Sequence, residues 1–163
     1  MFKKLMNKKL LKNQKGLTLI ELLAVIVILA IVAAIAVPAI GNIIENSRYN
    51  AVKADAINAL NAANLYYTDN PGGENVTTGT DAIGNTTTSI TIEQLKKAKY
   101  LDSGGKLEGS TASGVSISAG NPRKISGEIT YSGKKTVKFN ATITKINADT
   151  QKGSQDTISE IKD

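Results

Sequence analysis

A long apolar run near the N-terminus is the feature that most constrains how this chain can fold. It extends from Leu17 to about Ile44 and includes 19 consecutive residues, 22–40, without a charge. As an α-helix, those residues would be about 28 Å long, close to the ~30 Å hydrocarbon core of a membrane. The run therefore predicts a helix that spans a membrane.

The positive charge of the chain lies in front of that run. Residues 1–16 contain six lysines and no acid, whereas the other 14 basic residues are balanced by 14 acidic ones. The net charge of +6 therefore belongs to a short leader. Because lysine-rich flanks stay on the cytoplasmic side, we expect the leader in the cytoplasm and the C-terminal part across the membrane.

The helical pattern continues beyond the apolar run. A stripe of apolar residues recurs at spacings of three and four: Tyr49, Val52, Ala56, Ala59, Leu60, Ala63 and Tyr67. The stretch 69–73, Asp-Asn-Pro-Gly-Gly, ends the pattern. A helix from Leu17 to about Thr68 would be ~78 Å long, so about half of it must be buried in something other than this chain.

The remainder of the chain predicts a small β-rich head. Residues 74–90 form a polar loop, and Thr91 with Gln94 fits the capping box of a short helix. Strand candidates follow at 115–118, 124–131 and 135–146. Ser132-Gly133 supplies a hairpin turn between the last two of these candidates.

The last strand candidate alternates cleanly between two faces. Its apolar face holds Val137, Phe139, Ala141 and Ile143, and its polar face holds Lys138, Asn140, Thr142 and Thr144. Residues 148–163 fit an edge strand, a short helix or a loose tail.

Together these patterns predict an α+β fold: a long N-terminal helical spine whose C-terminal half packs on a small antiparallel sheet. The expected divisions are a cytoplasmic leader at 1–16, an apolar assembly helix at 17–44, an amphipathic continuation at 45–69, and a loop-and-sheet head at 70–163.

Glu21 is an unusual residue for its position. A charge inside a bilayer costs roughly 2.5–3.5 kcal/mol, and no cation lies within one helical turn of Glu21 in the intact chain. If the chain is cut after Gly16, Leu17 carries an α-ammonium four residues away on the same helical face. Pairing of these two groups between neighbouring copies would penalise wrong registers.

The stretch 15–21, Lys-Gly-Leu-Thr-Leu-Ile-Glu, followed by an uninterrupted apolar helix, resembles the prepilin signature of type IV pilins and related pseudopilins. The resemblance is specific across about residues 12–45, where it includes Pro38. Beyond residue 45 it is limited to the overall plan of a spine helix, a loop and an antiparallel sheet. It implies that a prepilin peptidase cuts between Gly16 and Leu17, and that Leu17 is then N-methylated. It also implies that Glu21 guides docking into a growing filament.

The resemblance further implies what the subunit works with and where. Its partners would be copies of itself, the peptidase, a cytoplasmic assembly ATPase and a polytopic membrane platform. The precursor would lie in the bacterial cytoplasmic membrane and the product in a pilus at the cell surface. Adhesion, twitching motility, biofilm formation and DNA uptake are all roles of such filaments, and no cofactor is expected.

Pro38 predicts a soft point in the helix. Proline cannot donate to the carbonyl of Ala34, and its ring crowds the preceding turn. With Gly41 three residues later, the helix is expected to bend or loosen here.

Several alternatives remain open. The apolar run could be an ordinary membrane anchor, or a secretory signal peptide cut after Ala34-Ile35-Ala36. The filament subunit could instead be a pseudopilin of a type II secretion or competence machine. In a different class, the chain could be a secreted or membrane-anchored β-rich domain that only binds something.

The head offers little for catalysis. The chain has no histidine or cysteine, so general-base histidines, thiolate nucleophiles and ordinary zinc sites are excluded, and no enzyme activity is expected.

The basic residues of the head are interpreted first as a solvated surface and second as a site for DNA. These residues are Lys96, Lys97, Lys99, Arg123, Lys124, Lys134, Lys135 and Lys138.

Overall fold

Helix α1, which runs from Leu19 to Asp69, is the longest element of the fold. The computed structural model describes residues 18–73, 76–80, 86–108, 114–133 and 135–163. The chain divides into two compact units, Met1–Ile40 and Gly41–Asp163. The four divisions expected from the sequence remain predictions.

The first unit contains the apolar part of α1. Its large side chains are exposed all round the helix, from 47% for Leu23 to 81% for Leu19. Pro38 lies inside α1, which continues through it to Asp69. The bend predicted at Pro38 and Gly41 stays a prediction.

The second unit is built on the amphipathic part of α1. All seven residues of the predicted apolar stripe, from Tyr49 to Tyr67, are buried, and Ala62 and Tyr66 join them. They pack in one hydrophobic core with the inward side chains of the sheet, among them Ile117, Ile129 and Phe139. Burial of this stripe is what holds the helix on the head.

The sheet has six strands in the order of the chain: β1 (Thr77–Thr80), β2 (Thr86–Thr91), β3 (Ser116–Ser118), β4 (Ile125–Ser132), β5 (Lys135–Ala141) and β6 (Ile161–Lys162). Neighbouring strands are antiparallel except β5 and β6, which are parallel. The predicted α+β fold is therefore confirmed, with a mostly antiparallel sheet.

Three short helical segments complete the second unit. They are α2 (Ile92–Lys97), a 3₁₀ turn (Gly105–Leu107) and α3 (Ile143–Ala148). The capping box predicted for Thr91 and Gln94 is confirmed, because each residue's side chain accepts from the other's backbone amide. The predicted hairpin between β4 and β5 is confirmed, but Ser132 is the last residue of β4 and the turn begins at Gly133, which has φ 57°.

Two predictions for the head are wrong. Residues 74–90 were expected to form a loop, yet β1 and most of β2 lie there, because threonine is β-branched and Ile90 buries its side chain in the core. The strand expected at 135–146 ends at Ala141, and Thr142 instead precedes helix α3. Residues 161–162 form the edge strand that was one of three possibilities for the C-terminal segment.

Candidate functional site

The candidate site lies at the start of helix α1. Gly16 and Leu17, the predicted cleavage and methylation positions, lie outside the described residues. Thr18 and Glu21 are described, and α1 begins between them at Leu19. The described part of the site therefore consists of Thr18, the first turn of α1 and the Glu21 carboxylate.

Thr18 and Glu21 are joined by three hydrogen bonds, which run in both directions between them. The Thr18 amide donates to Glu21 Oε2 at 2.7 Å, and the Thr18 hydroxyl donates to the same oxygen at 2.9 Å. The Glu21 amide lies 3.3 Å from Thr18 Oγ1, which accepts from it. This is a capping box, with Thr18 at the N-cap position and Glu21 at the third helical position.

The capping box gives the Glu21 carboxylate two donors within its own chain. It also satisfies two amides that a helix start would leave without partners. The carboxylate stands in the first turn, where the helix dipole favours a negative charge. The cost of placing this charge in apolar surroundings is therefore partly offset before any other subunit is present.

Sequence reasoning missed the role of Thr18. The signal was present, because Thr-Leu-Ile-Glu has the same spacing as the Thr91 box that was recognised. An apolar run of this length predicts a helix by itself, so its N-cap is not needed to find it.

Apolar side chains surround this polar pair. Leu19, Ile20 and Leu22 are 81%, 68% and 57% exposed. Among the described residues, α1 is the one helix long and apolar enough to cross a membrane, with a mean hydropathy of 3.1 in its most apolar window. Glu21 is thus a carboxylate at the edge of a continuous apolar surface.

A second set of polar contacts fixes the head on α1. Lys53 Nζ lies 3.0 Å from Asp149 Oδ2 and donates to the Asp149 carbonyl at 2.7 Å. The Tyr49 hydroxyl donates to the same carboxylate at 2.7 Å, and Gln151 donates to its other oxygen at 2.9 Å. Lys135 pairs with Glu45 at 2.7 Å.

The pKa of Asp149 reflects this environment. Burial alone would raise it, but hydrogen bonds from Gln151, Tyr49 and Lys53 and the charge of Lys53 outweigh burial, so the pKa is lowered. Asp149 therefore remains a carboxylate in the folded head under ordinary conditions and acts as an anchor for α1.

Several basic residues of the head, which are candidates for a DNA-binding site, are paired with carboxylates. Four of them form ion pairs with carboxylates: Lys96 with Glu108, Lys124 with Asp163, Lys135 with Glu45 and Lys138 with Glu128. Lys134 lies outside the described residues. Direct DNA binding stays a prediction.

The comparison with known families bears on the same N-terminal segment. Residues 11–37 match the family model described as the prokaryotic N-terminal methylation motif. This motif is the class III signal sequence of type IV pilins and pseudopilins, so the resemblance noted in the sequence is confirmed. No curated protein and no solved structure matches the chain.

The motif supports a type IV pilin-like or pseudopilin precursor and indicates the role of a structural subunit. It implies processing by a prepilin peptidase and assembly into a filament. The apolar helix that follows the motif fits a precursor held in the membrane.

Proposed function

We propose that this chain is the precursor of a type IV pilin, which is trimmed between Gly16 and Leu17, N-methylated on Leu17 and polymerised into a cell-surface pilus. The observation that carries the proposal is the methylation motif joined to an apolar helix whose first-turn carboxylate is Glu21. The compact second unit would be the part displayed along the filament.

Cleavage would create the cation that Glu21 lacks. The new α-ammonium of Leu17 stands one residue before Thr18 in the chain, while the Glu21 carboxylate is already held by the Thr18 amide and hydroxyl. A carboxylate oxygen accepts more than one hydrogen bond, so Glu21 can keep its cap and also accept from the ammonium of a neighbouring subunit.

Such a pairing would set the register of the filament. In an apolar bundle of helices, an unpaired ammonium or carboxylate is costly, so a subunit docked one turn out of place would be rejected. The cap would hold the Glu21 side chain in one position before docking, which reduces the entropy lost on pairing. Energy for extraction from the membrane would come from an ATPase and a membrane platform.

The first experiment is N-terminal analysis of the protein purified from the cell surface. The expected result is a mature chain that begins with N-methyl-Leu17. A chain that retains its lysine-rich leader while present in filaments would contradict the proposal, as would a soluble protein that begins at Val37.

The second experiment separates the charge of Glu21 from its capping role. Glu21→Gln keeps an oxygen that can accept from Thr18 but removes the charge, whereas Thr18→Val keeps the charge and removes the hydroxyl of the cap. We expect both precursors to be inserted and cleaved, but Glu21→Gln to be incorporated far less into filaments than Thr18→Val. Equal incorporation of Glu21→Gln and wild type would defeat the pairing mechanism.

Electron microscopy of cells that express the chain tests whether it is a pilin or a pseudopilin. Long surface filaments built of this chain are expected for a pilin. Short filaments confined to the cell envelope, with secretion or DNA uptake lost when the chain is deleted, would instead indicate a pseudopilin.

A further inference from the structure

A pocket in the second unit contains an arginine, Arg123, that forms no ion pair with the carboxylates that the structure describes. The pocket has a volume of about 330 Å³ and lies where the end of α1 meets β2 and the β3–β4 connection. The residues that matter for its chemistry are Tyr67, Gly72, Gly73, Thr88 and Arg123.

The Arg123 side chain is held on two sides. Its Nη1 donates to Asn64 Oδ1 at 2.9 Å, and its guanidinium carbon lies 4.9 Å from the centroid of the Tyr67 ring. These contacts restrict the guanidinium without neutralising it, since an amide and an aromatic ring carry no net charge.

Two observations indicate that the described residues leave the Arg123 charge under-compensated. Its Nε is buried and has no hydrogen-bond partner within the part of the chain that the structure describes. No carboxylate of that same part lies within 4.0 Å of the guanidinium. Half-buried charge of this kind is costly unless an anion joins it.

The choice of arginine is itself informative. Of the 20 basic residues, only Arg48 and Arg123 are arginines, so lysine serves almost everywhere that a surface charge suffices. Arginine differs from lysine in its planar fork of donors, which binds a carboxylate through two parallel hydrogen bonds.

We propose that Arg123 and this pocket bind the carboxylate of a small monoanionic ligand about the size of one uronic acid. One cation matches one carboxylate better than a doubly charged phosphate. The guanidinium is already restricted by Tyr67 and Asn64, so little side-chain entropy is lost on binding. All residues of the site belong to the unit Gly41–Asp163, so a single chain forms the whole site.

The test is a titration of the full-length protein in detergent micelles, followed by amide NMR. The ligands are galacturonate, with galactose as its neutral control, and acetylglycine, whose carboxylate represents a peptide C-terminus. We expect saturable shifts of the Gly72, Gly73 and Thr88 amides with a carboxylate ligand and none with galactose. Preference for galacturonate or acetylglycine identifies a sugar acid or a peptide as the source of the carboxylate.

Two variants test the residues. Arg123→Lys keeps the charge but removes the fork, and we expect it to weaken binding by about tenfold or more. Arg48→Lys is the matched control, because Arg48 donates to the Ser132 hydroxyl at 3.2 Å and does not line the pocket, and its binding should equal that of wild type.

A third variant distinguishes loss of the binding site from unfolding of the protein. A Cβ added at Gly72 meets no atom within 4 Å, so Gly72→Leu is expected to fold normally and to block the pocket. Loss of binding at an unchanged melting temperature would support the site. The proposal is overturned if neither carboxylate binds at up to about 50 mM, where a site with Kd ~1 mM is saturated, or if Arg123→Lys binds as tightly as wild type.

Discussion

The Thr18 amide donates to Glu21 Oε2 at 2.7 Å, while the Glu21 amide donates back to the Thr18 hydroxyl at 3.3 Å. The N-cap residue of the apolar helix and the acid in its first turn therefore hold each other in place. Glu21 has two functions that a single substitution to alanine would remove together: it caps its own helix, and it offers a charge to a neighbouring subunit under the proposed function.

The first prediction concerns the capping function alone. Thr18→Val should fray the first turn of α1, because the Glu21 amide loses its acceptor, at a cost of about 1 kcal/mol. Hydrogen exchange of the Glu21 and Leu22 amides, which donate to Thr18, should accelerate about fivefold in detergent micelles for such a cost. Thr18→Ser retains the hydroxyl and should exchange like wild type. Equal hydrogen-exchange protection in Thr18→Val and in wild type would show that the cap does not stabilise the first turn of α1.

Local patterns predicted local structure well in this chain. The stripe from Tyr49 to Tyr67 is buried as its spacing indicates, and the Thr91 capping box begins helix α2. The alternation of Val137, Phe139 and Ala141 is also real, because all three are buried on one face of β5. Each of these features is encoded within a few residues, so periodicity and capping rules suffice to find it.

Features that depend on distant partners were not predictable. The threonines of β2 favour a strand locally, but its pairing with β3, at residues 116–118, depends on a partner that no local pattern reveals. The Lys53–Asp149 pair joins residues 96 positions apart, and Arg123 reaches Asn64 across 59 positions. The end of β5 was misplaced because Ile143 continues the alternation in sequence although the chain turns into α3.

The second prediction concerns the close approach of residue 153 to α1. A Cβ at Gly153 would collide with the carbonyl oxygen of Glu45 and with the Tyr49 side chain. Gly153→Ala should therefore lower the free energy of unfolding by about 1–3 kcal/mol. Urea unfolding followed by tyrosine fluorescence measures this, since all five tyrosines lie in the second unit. Gly120→Ala is the matched control, because a Cβ there meets no atom within 4 Å. Equal midpoints for the two variants would contradict the predicted clash.

The third prediction concerns the turn after helix α2. Lys99 has φ 63°, a left-handed conformation that strains a side chain, while the Tyr100 amide bonds back to the Leu95 carbonyl at 3.0 Å. Lys99→Gly should raise the free energy of unfolding by about 0.5–1 kcal/mol, because glycine adopts this conformation without strain. Lys99→Ala keeps the strain and removes the charge, so it should show no comparable gain. A larger gain from alanine than from glycine would mean that charge, not backbone strain, is the dominant effect.

The fourth prediction concerns the pH dependence that Asp149 confers. Burial raises its pKa, but the hydrogen bonds and charge of its partners outweigh burial and lower it below the usual 3.8. A carboxyl whose folded pKa is lowered contributes stability above its unfolded pKa and loses it as the pH falls through the folded pKa. At pH 7, Asp149→Asn should therefore lower the free energy of unfolding by about 1–3 kcal/mol, because Lys53 loses its partner. The difference between the two proteins should shrink as the pH falls from the usual 3.8 through the lower folded pKa, because wild-type Asp149 then takes up a proton. The control is Asp102→Asn, at an exposed position, which should leave the pH dependence of the free energy of unfolding unchanged. A stability difference between wild type and Asp149→Asn that stays constant down to pH 2 would contradict the role of the Asp149 charge.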